Sequence, residues 1–262
     1  MALALPVLII SCSTNAVTGR KQLSLLPESQ LQQQAVTEYR TFLSQSKVVN
    51  ASTNKDAEMV RRVGSRIAHA ITEYYGKQGK GEILNGYHWE FNLVDNKDVN
   101  AWCMPGGKVV VYTGLLPVAQ NEAALAIVLG HEITHAVANH GNERMSQMMV
   151  TQGIAVAGDV LTSGNSKVNS IFNGVFVPGS QIAYTLPNSR SQEYEADHFG
   201  LIFAAMAGYN PREAIPFWQR MAQAGGEKPP EFLATHPSDE NRIARLQGYM
   251  DEALKYYKPI SK

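Results

Sequence analysis

Two histidines four residues apart, His131 and His135, most constrain what this chain can fold into. On a helix this spacing places both imidazoles on one face, where they can bind the same metal ion, and Glu132 follows the first of them. An apolar, helix-favouring run over residues 123–129 leads into the motif, and Asn121 offers the start of the helix. The pattern favours a zinc peptidase over a helix whose histidines only border a core.

A catalytic zinc ion usually has three protein ligands and an open position for water, so a third ligand must come from elsewhere. A metzincin would continue with glycine and histidine at positions 138 and 141, but the chain has Ala138 and Gly141, and His140 is one residue out of register. His69 and His88 stay open as alternatives, although each is more typical of an ordinary surface or half-buried residue.

Two carboxylates in the helix-like segment over residues 191–198 are better candidates. Glu193 and Asp197 are four residues apart and share a helix face, whereas Glu195 points elsewhere. Glu193 can complete a two-histidine, one-carboxylate site, and Asp197 can accept the free N–H of a ligating histidine and so fix its tautomer. For such a pair taken alone, a solvated acidic face is the alternative.

Four motifs taken together resemble the zinc metallopeptidases of family 48, the group that includes the HtpX-like and CaaX-prenyl proteases. They are His131–His135, Glu193–Asp197, Asn100–Gly107 with the strand after it, and His236–Ser238 followed by Arg242. The resemblance covers about residues 20–250 and implies a single zinc ion held by His131, His135 and Glu193. It implies an α+β fold, a mainly helical, gluzincin-like zincin domain with a small β-sheet whose edge strand borders the active-site cleft.

The same residues predict peptide-bond hydrolysis. Zinc lowers the pKa of its bound water, and Glu132 can take the proton as general base and return it to the leaving amine. His236, which the resemblance places at the cleft, is predicted to stabilise the oxyanion, and a helix-capping histidine before Pro237 is the alternative. We expect unfolded or misassembled proteins as the substrates, in protein quality control.

Three other functions stay open. A chaperone or assembly factor could keep a zinc site and cleave rarely, although an intact Glu132 argues against a purely binding role. A structural zinc site would need a fourth protein ligand, for which His198 is the remaining candidate. A zinc exopeptidase would need a pocket for a terminal amine or carboxylate, which no segment of the sequence indicates.

The N-terminal residues resemble the signal of a bacterial lipoprotein. An apolar run over residues 1–11 ends at Cys12, the position that would carry the lipid, although no Lys or Arg precedes the run. We therefore expect residues 1–21 to be signal and tether and residues 22–262 to be a single catalytic domain. The family branch would be that of soluble periplasmic lipoproteins, and Ser13 favours attachment to the bacterial outer membrane.

The charge and the cysteine content of the sequence limit the possible partners and disulfides. With 23 basic and 23 acidic residues the net charge is zero, which argues against a nucleic-acid partner. If Cys12 carries a lipid, Cys103 is left without a disulfide partner. We expect Cys103 to be a small packing residue rather than a metal ligand.

Periodicity predicts helices over residues 28–44 and 55–75, and residues 87–94 alternate like a half-buried strand. The next strand, Val109 to Thr113, is predicted to lie along the cleft as an edge to which an extended peptide can pair. An internal strand paired on both sides is the alternative. Residues 164–187 mix glycine, serine and asparagine with aromatic residues, which predicts a mobile cover or an exposed apolar loop.

Overall fold

A computed structural model of the protein describes residues 12–153, 166–177, 188–224, 230–236 and 241–260. Its helices are α1 (Glu28–Gln45), α2 (Lys55–Lys77), α3 (Leu116–Ala119), α4 (Glu122–Val137), α5 (His140–Thr151), α6 (Ser166–Phe176), α7 (Arg190–Met206), α8 (Ala214–Gln223), α9 (Glu231–Thr235) and α10 (Arg242–Tyr256). Its strands are β1 (Cys12–Thr14), β2 (Lys21–Leu23), β3 (Val48–Val49), β4 (Glu90–Val94), β5 (Ala101–Met104) and β6 (Lys108–Tyr112). This confirms a mainly helical α+β fold with a small sheet, and no helix within these ranges is long and apolar enough to cross a membrane.

The larger sheet has the strand order β3-β4-β6-β5, in which β4 and β6 are parallel and the other pairs are antiparallel. A tight turn at Gly106 and Gly107, with φ angles of 77° and 81°, joins β5 to β6. The prediction that Val109 to Thr113 forms the edge is wrong, because β6 pairs with both β4 and β5, and the edge strands are β3 and β5. All five residues of β6 are buried, as expected of a strand covered on both faces.

Helix α4 lies in the middle of the molecule and carries the two-histidine motif. Every residue from Ala124 to Val137 is buried, so the helix is packed on all sides. The Asn121 side chain accepts a hydrogen bond from the main chain of Ala124, and Asn139 adopts the left-handed conformation just after the helix. The helix predicted around the motif is therefore confirmed.

Two glycines bring α4 unusually close to α7. A Cβ added to Gly130 would lie 2.5 Å from the main-chain oxygen of Gly200, and one added to Gly200 would lie 2.8 Å from the nitrogen of His131. The absence of side chains at both positions therefore allows the two backbones to touch, directly beside the first histidine of the motif.

Helix α6 replaces part of the loop that the sequence predicted. Val168, Ile171 and Phe172 recur at helical spacing and are buried against the methionines of α5. The prediction of an exposed apolar loop is therefore wrong for this helix. Residues 154–165 and 178–187, which include the rest of the predicted cover, lie outside the described residues.

The N-terminal strands β1 and β2 form an antiparallel hairpin that packs against the helical core. Its strands and turn include residues 13–21, which belong to the N-terminal segment predicted to be signal and tether. Buried Asn15 donates hydrogen bonds to the side chain of Gln22 and to the main-chain oxygen of Ala138, at the end of α4. Residues 1–11 lie outside the described part, and both the lipid and the division into domains stay predictions.

We expect Gly200→Ala to lower the free energy of unfolding by about 1–3 kcal/mol, because the added methyl group must push α7 away from the backbone of α4. Chemical denaturation of the purified variant measures this change. Gly248→Ala in α10 is the matched control, because no atom of the described residues outside its own helix turn lies within 4 Å of the added Cβ there. The control should be stabilised by up to about 1 kcal/mol, and equal effects of the two substitutions would contradict the close crossing.

Candidate metal centre

Four buried side chains meet between α4, α7 and α9. The cluster consists of His131, His135, Glu193 and His236, and one candidate ligand atom from each lies within 4.8 Å of all the others. The first two come from successive turns of α4, the third from the first turn of α7, and the fourth from the residue after α9. Residues that lie far apart in the sequence therefore meet at one point.

Glu193 faces both histidines of the motif. Its two carboxylate oxygens each lie 3.4 Å from an imidazole nitrogen, Oε2 from His131 Nε2 and Oε1 from His135 Nε2. Within the described part of the chain neither oxygen has a hydrogen-bond partner, although the side chain is only 3% exposed. A buried carboxylate without partners is unfavourable unless it binds a cation, so these donors fit a divalent metal ion. Two imidazoles and a carboxylate form a ligand set typical of zinc.

The second ring nitrogen of His131 lies beside Asp197, one helical turn beyond Glu193. Asp197 Oδ1 is 3.1 Å from His131 Nδ1, and the same oxygen accepts a 2.6 Å hydrogen bond from Arg242. The guanidinium of Arg242 stacks on Trp218, 3.2 Å from the ring centroid. The sequence placed Arg242 in a motif but did not connect it to Asp197, because nothing local relates positions 45 residues apart.

The second ring nitrogen of His135 contacts a residue that the sequence had discounted. His135 Nδ1 lies 2.8 Å from His140 Nδ1, and His140 Nε2 lies 2.8 Å from Glu195 Oε2. Burial raises the pKa of Glu195, but hydrogen bonds from His140 and Arg20 outweigh it and hold the pKa below its usual range. Glu195 does point away from Glu193, as predicted, yet it belongs to the surroundings of the site.

Glu132 and His236 face each other next to the cluster. The Nε2 atom of His236 lies 3.4 Å from Glu132 Oε1, and both side chains are buried. Burial raises the pKa of Glu132 to about 8 and lowers the pKa of His236 to about 3. Each environment therefore favours the uncharged form.

A cleft opens onto this cluster. Its walls include β5, α4, the start of α5 and the end of α6, and among its lining residues are Ala101, Cys103, Glu132, His135, Phe176 and His236. The main-chain oxygen of Asn100 accepts a hydrogen bond from the main-chain nitrogen of Tyr112. Because the main-chain groups of successive strand residues face opposite sides, those of Ala101 and Cys103 face away from β6, towards the edge of the sheet. The cleft therefore combines the histidine–glutamate cluster with a strand edge to which no other described strand pairs.

Other candidates lie away from the cluster. His69 is exposed on α2, 3.9 Å from Glu73, and His198 pairs with Glu252 at 2.7 Å. His88 precedes β4 and is not part of the cluster found within the described ranges. Cys103 lines the cleft, but it is also absent from that cluster.

Comparison with known proteins identifies several relatives. The chain is 36% identical over 195 residues to the mitochondrial metalloendopeptidase OMA1 of Arabidopsis thaliana, which covers 74% of this chain and 36% of that protein. It is 33% identical over 246 residues to metalloendopeptidase OMA1 of Bos taurus, covering 91% of this chain and 46% of that protein. It is 29% identical over 187 residues to the beta-barrel assembly-enhancing protease of Yersinia pestis, covering 66% and 38%.

These relatives correct the predicted location. The more similar of them are mitochondrial by name, whereas the bacterial relative is more distant. This contradicts the prediction of an outer-membrane lipoprotein on the periplasmic side of a bacterial envelope. The chain spans between about one third and three fifths of the length of the curated relatives it matches.

A family model, described as peptidase family M48, matches residues 56–250. The match includes the two-histidine helix, the carboxylate helix α7 and the residues after α9. It therefore spans all four side chains of the histidine–glutamate cluster and confirms the resemblance seen in the four motifs. This chain belongs to peptidase family M48, a family of metallopeptidases.

Proposed function

We propose that the chain is a zinc endopeptidase that hydrolyses unfolded or misassembled proteins, using a water molecule activated by Glu132. One observation carries the proposal: buried Glu132 shares a cleft with the histidine–glutamate cluster and with an open strand edge. A purely structural metal site requires neither a spare carboxylate nor a cleft. The names of the relatives, metalloendopeptidase and protease, support the same activity.

The zinc ion would be held by His131, His135 and Glu193. Their donor atoms, and the unpartnered oxygens of Glu193 above all, support this choice. When bound, zinc supplies a Lewis acid that polarises the scissile carbonyl and lowers the pKa of the attacking water. Three protein ligands leave one position for water or substrate.

Glu132 would transfer the proton. Its carboxylate accepts a proton from the attacking water as the new C–O bond forms, and its carboxyl group then gives that proton to the amine nitrogen as the C–N bond breaks. Burial supports this role, because it raises the pKa of Glu132 and so makes its carboxylate a stronger base.

The role of His236 depends on its tautomer. If the Thr235 hydroxyl, 2.9 Å away, donates to Nδ1, then Nε2 carries the proton and can donate to the oxyanion. If Nδ1 instead donates to the main-chain oxygen of Phe232, 3.1 Å away, then Nε2 is a free donor atom for the metal. We propose the first arrangement, because Nε2 then carries its proton towards Glu132 Oε1, 3.4 Å away, and the Thr235 hydroxyl, which also lies 3.2 Å from the Phe232 oxygen, turns its proton to Nδ1.

The substrate would bind as an extra strand. The main-chain groups of Cys103 and the main-chain oxygen of Ala101 face the cleft and could pair with an extended peptide, whereas the Ala101 N–H already donates to the side chain of Asn100. A chain segment already paired in a folded structure cannot do so, which favours unfolded or misassembled proteins. The name of the Yersinia pestis relative, a beta-barrel assembly-enhancing protease, supports a role in quality control.

We further propose that the residues from 22 onward act as a single catalytic domain and that a lipid on Cys12 attaches the chain to a membrane. One hydrophobic cluster links α2, the larger sheet, α4 and α7, which supports the single domain. The apolar residues before Cys12 support the lipid. Mass spectrometry of the mature N-terminal peptide tests it, and an unmodified Cys12 would contradict it.

We expect Glu132→Gln to retain zinc and to reduce casein hydrolysis by about 10²- to 10⁴-fold, because the amide cannot accept the proton. Zinc content and turnover are measured on wild type and variant purified identically. Glu122→Gln is the matched control, since it makes the same change at the surface end of α4, where Glu122 pairs with Arg62. Cleavage by Glu132→Gln at the wild-type rate would exclude Glu132 as the base. Zinc in both proteins and cleavage in neither would favour a chaperone or assembly factor.

We expect His236→Phe to lower turnover by about 10²-fold or more while leaving the zinc dissociation constant unchanged, because an oxyanion donor acts in the transition state. A zinc dissociation constant raised in parallel would instead make His236 a fourth ligand and support the structural-zinc alternative. Thr235→Val separates the tautomers further, since it should lower turnover only if the hydroxyl donates to Nδ1.

A further inference from the structure

The metal ligand His135 lies at one end of a buried chain of polar contacts. His135 Nδ1 lies 2.8 Å from His140 Nδ1, and the far nitrogen of His140 lies 2.8 Å from Glu195. Arg20 then binds Glu195 through Nε at 2.6 Å and through Nη2 at 3.2 Å. The contacts thus run from the candidate metal centre to the N-terminal hairpin.

The groups at the two ends of this series of contacts, the metal ligand His135 and the carboxylate of Glu195, determine the direction of each hydrogen bond. We assign the tautomers of the histidines from these directions. A histidine that binds metal through Nε2 carries its proton on Nδ1, so His135 must donate to His140. Nδ1 of His140 is then an acceptor, which places the proton of His140 on Nε2, facing the carboxylate of Glu195. An ionised Glu195 can only accept, so all three groups fit one arrangement of protons.

Arg20 holds Glu195 in place with a second carboxylate. Its Nη1 and Nη2 donate to the two oxygens of Glu143 at 2.7 and 2.6 Å, while Nε faces Glu195. Gln192 also donates to Glu143 at 2.7 Å, so the far side of the guanidinium is held as well. A planar guanidinium that binds one carboxylate on each of two sides has little freedom to rotate. It therefore fixes the orientation of the Glu195 carboxylate.

The hairpin that carries Arg20 is itself fixed to α4. Asn15 donates to the main-chain oxygen of Ala138, just after the last turn of that helix. Asn15 also accepts main-chain hydrogen bonds from Val17 and Thr18, which shape the turn leading to Arg20. The hairpin therefore contacts the helix of the metal ligands directly and through Arg20.

We propose that Arg20 is a positioning residue that, through Glu195 and His140, holds His135 in the tautomer and orientation that bind zinc. The proposal rests on the proposed function, since it assumes that His135 is a zinc ligand. It assigns to the N-terminal hairpin a role in building the metal centre. The alternative is an ion pair that stabilises the fold and leaves the metal unaffected.

The zinc dissociation constant of the full chain, measured by competition with a chromophoric chelator, separates these two roles. We expect Arg20→Gln to raise it by about 10- to 100-fold, the usual effect of losing a residue that orients a ligand. Arg62→Gln is the matched control, because Arg62 also joins two carboxylates, Glu58 and Glu122, at 3.0 and 2.7 Å but lies on another face. Arg20→Lys, which keeps the charge but not the fork, should give an intermediate value.

A dissociation constant for Arg20→Gln within twofold of that for wild type and Arg62→Gln would overturn the proposal and leave the proposed function intact. Failure of the wild type to bind zinc would overturn both. If Arg20→Gln does not fold, ¹⁵N NMR of the histidines in zinc-loaded wild type decides. A proton on Nε2 of His140 is expected, and a proton on Nδ1 would overturn the proposal.

Discussion

The geometry of the metal centre depends on the close crossing of α4 and α7. Gly130 and Gly200 allow the two backbones to touch, and this contact lies beside His131. Glu193 lies seven residues before Gly200 on α7. Its side chain therefore reaches between the two imidazoles, and each of its oxygens lies 3.4 Å from a nitrogen of one ring. A larger separation of the helices would leave the carboxylate too far from one histidine or from both.

One short stretch of α7 then serves three histidines. Glu193 and Asp197 share a helix face towards His131, while Glu195, on another face, contacts His140 and through it His135. Each outer carboxylate is in turn held by an arginine from a distant part of the chain, Arg242 for Asp197 and Arg20 for Glu195. The buried negative charges next to the ligands are thus balanced separately, which leaves Glu193 without an arginine of its own at hydrogen-bond distance and available to a metal ion.

Local patterns in the sequence were enough to predict the central parts of this arrangement. The i, i+4 spacing of two residue pairs, one on α4 and one on α7, identified the face that each helix turns to the site. Contacts between distant segments could not be predicted in this way, because Arg20, His140 and Glu195 have no common periodicity.

The error about β6 has a physical reason: a continuous β-branched run is typical of a strand covered on both faces, and that property places it inside the sheet. In α6, glycine, serine and asparagine obscured a helical spacing of apolar residues that was present all along.

The family match begins at residue 56, whereas the hairpin ends at Leu23. The residues that the family model matches include all of the cluster, but the hairpin that contacts its surroundings lies outside the match. Arg20 lies two residues before position 22, where the catalytic domain is predicted to begin, yet its side chain is only 28% exposed and bridges the carboxylates of Glu143 and Glu195. A domain defined by where its buried polar contacts end, rather than by where composition changes, would begin at the first strand of the hairpin. By that definition the hairpin would be added to the proposed domain, because Arg20 is joined to His135 through Glu195 and His140.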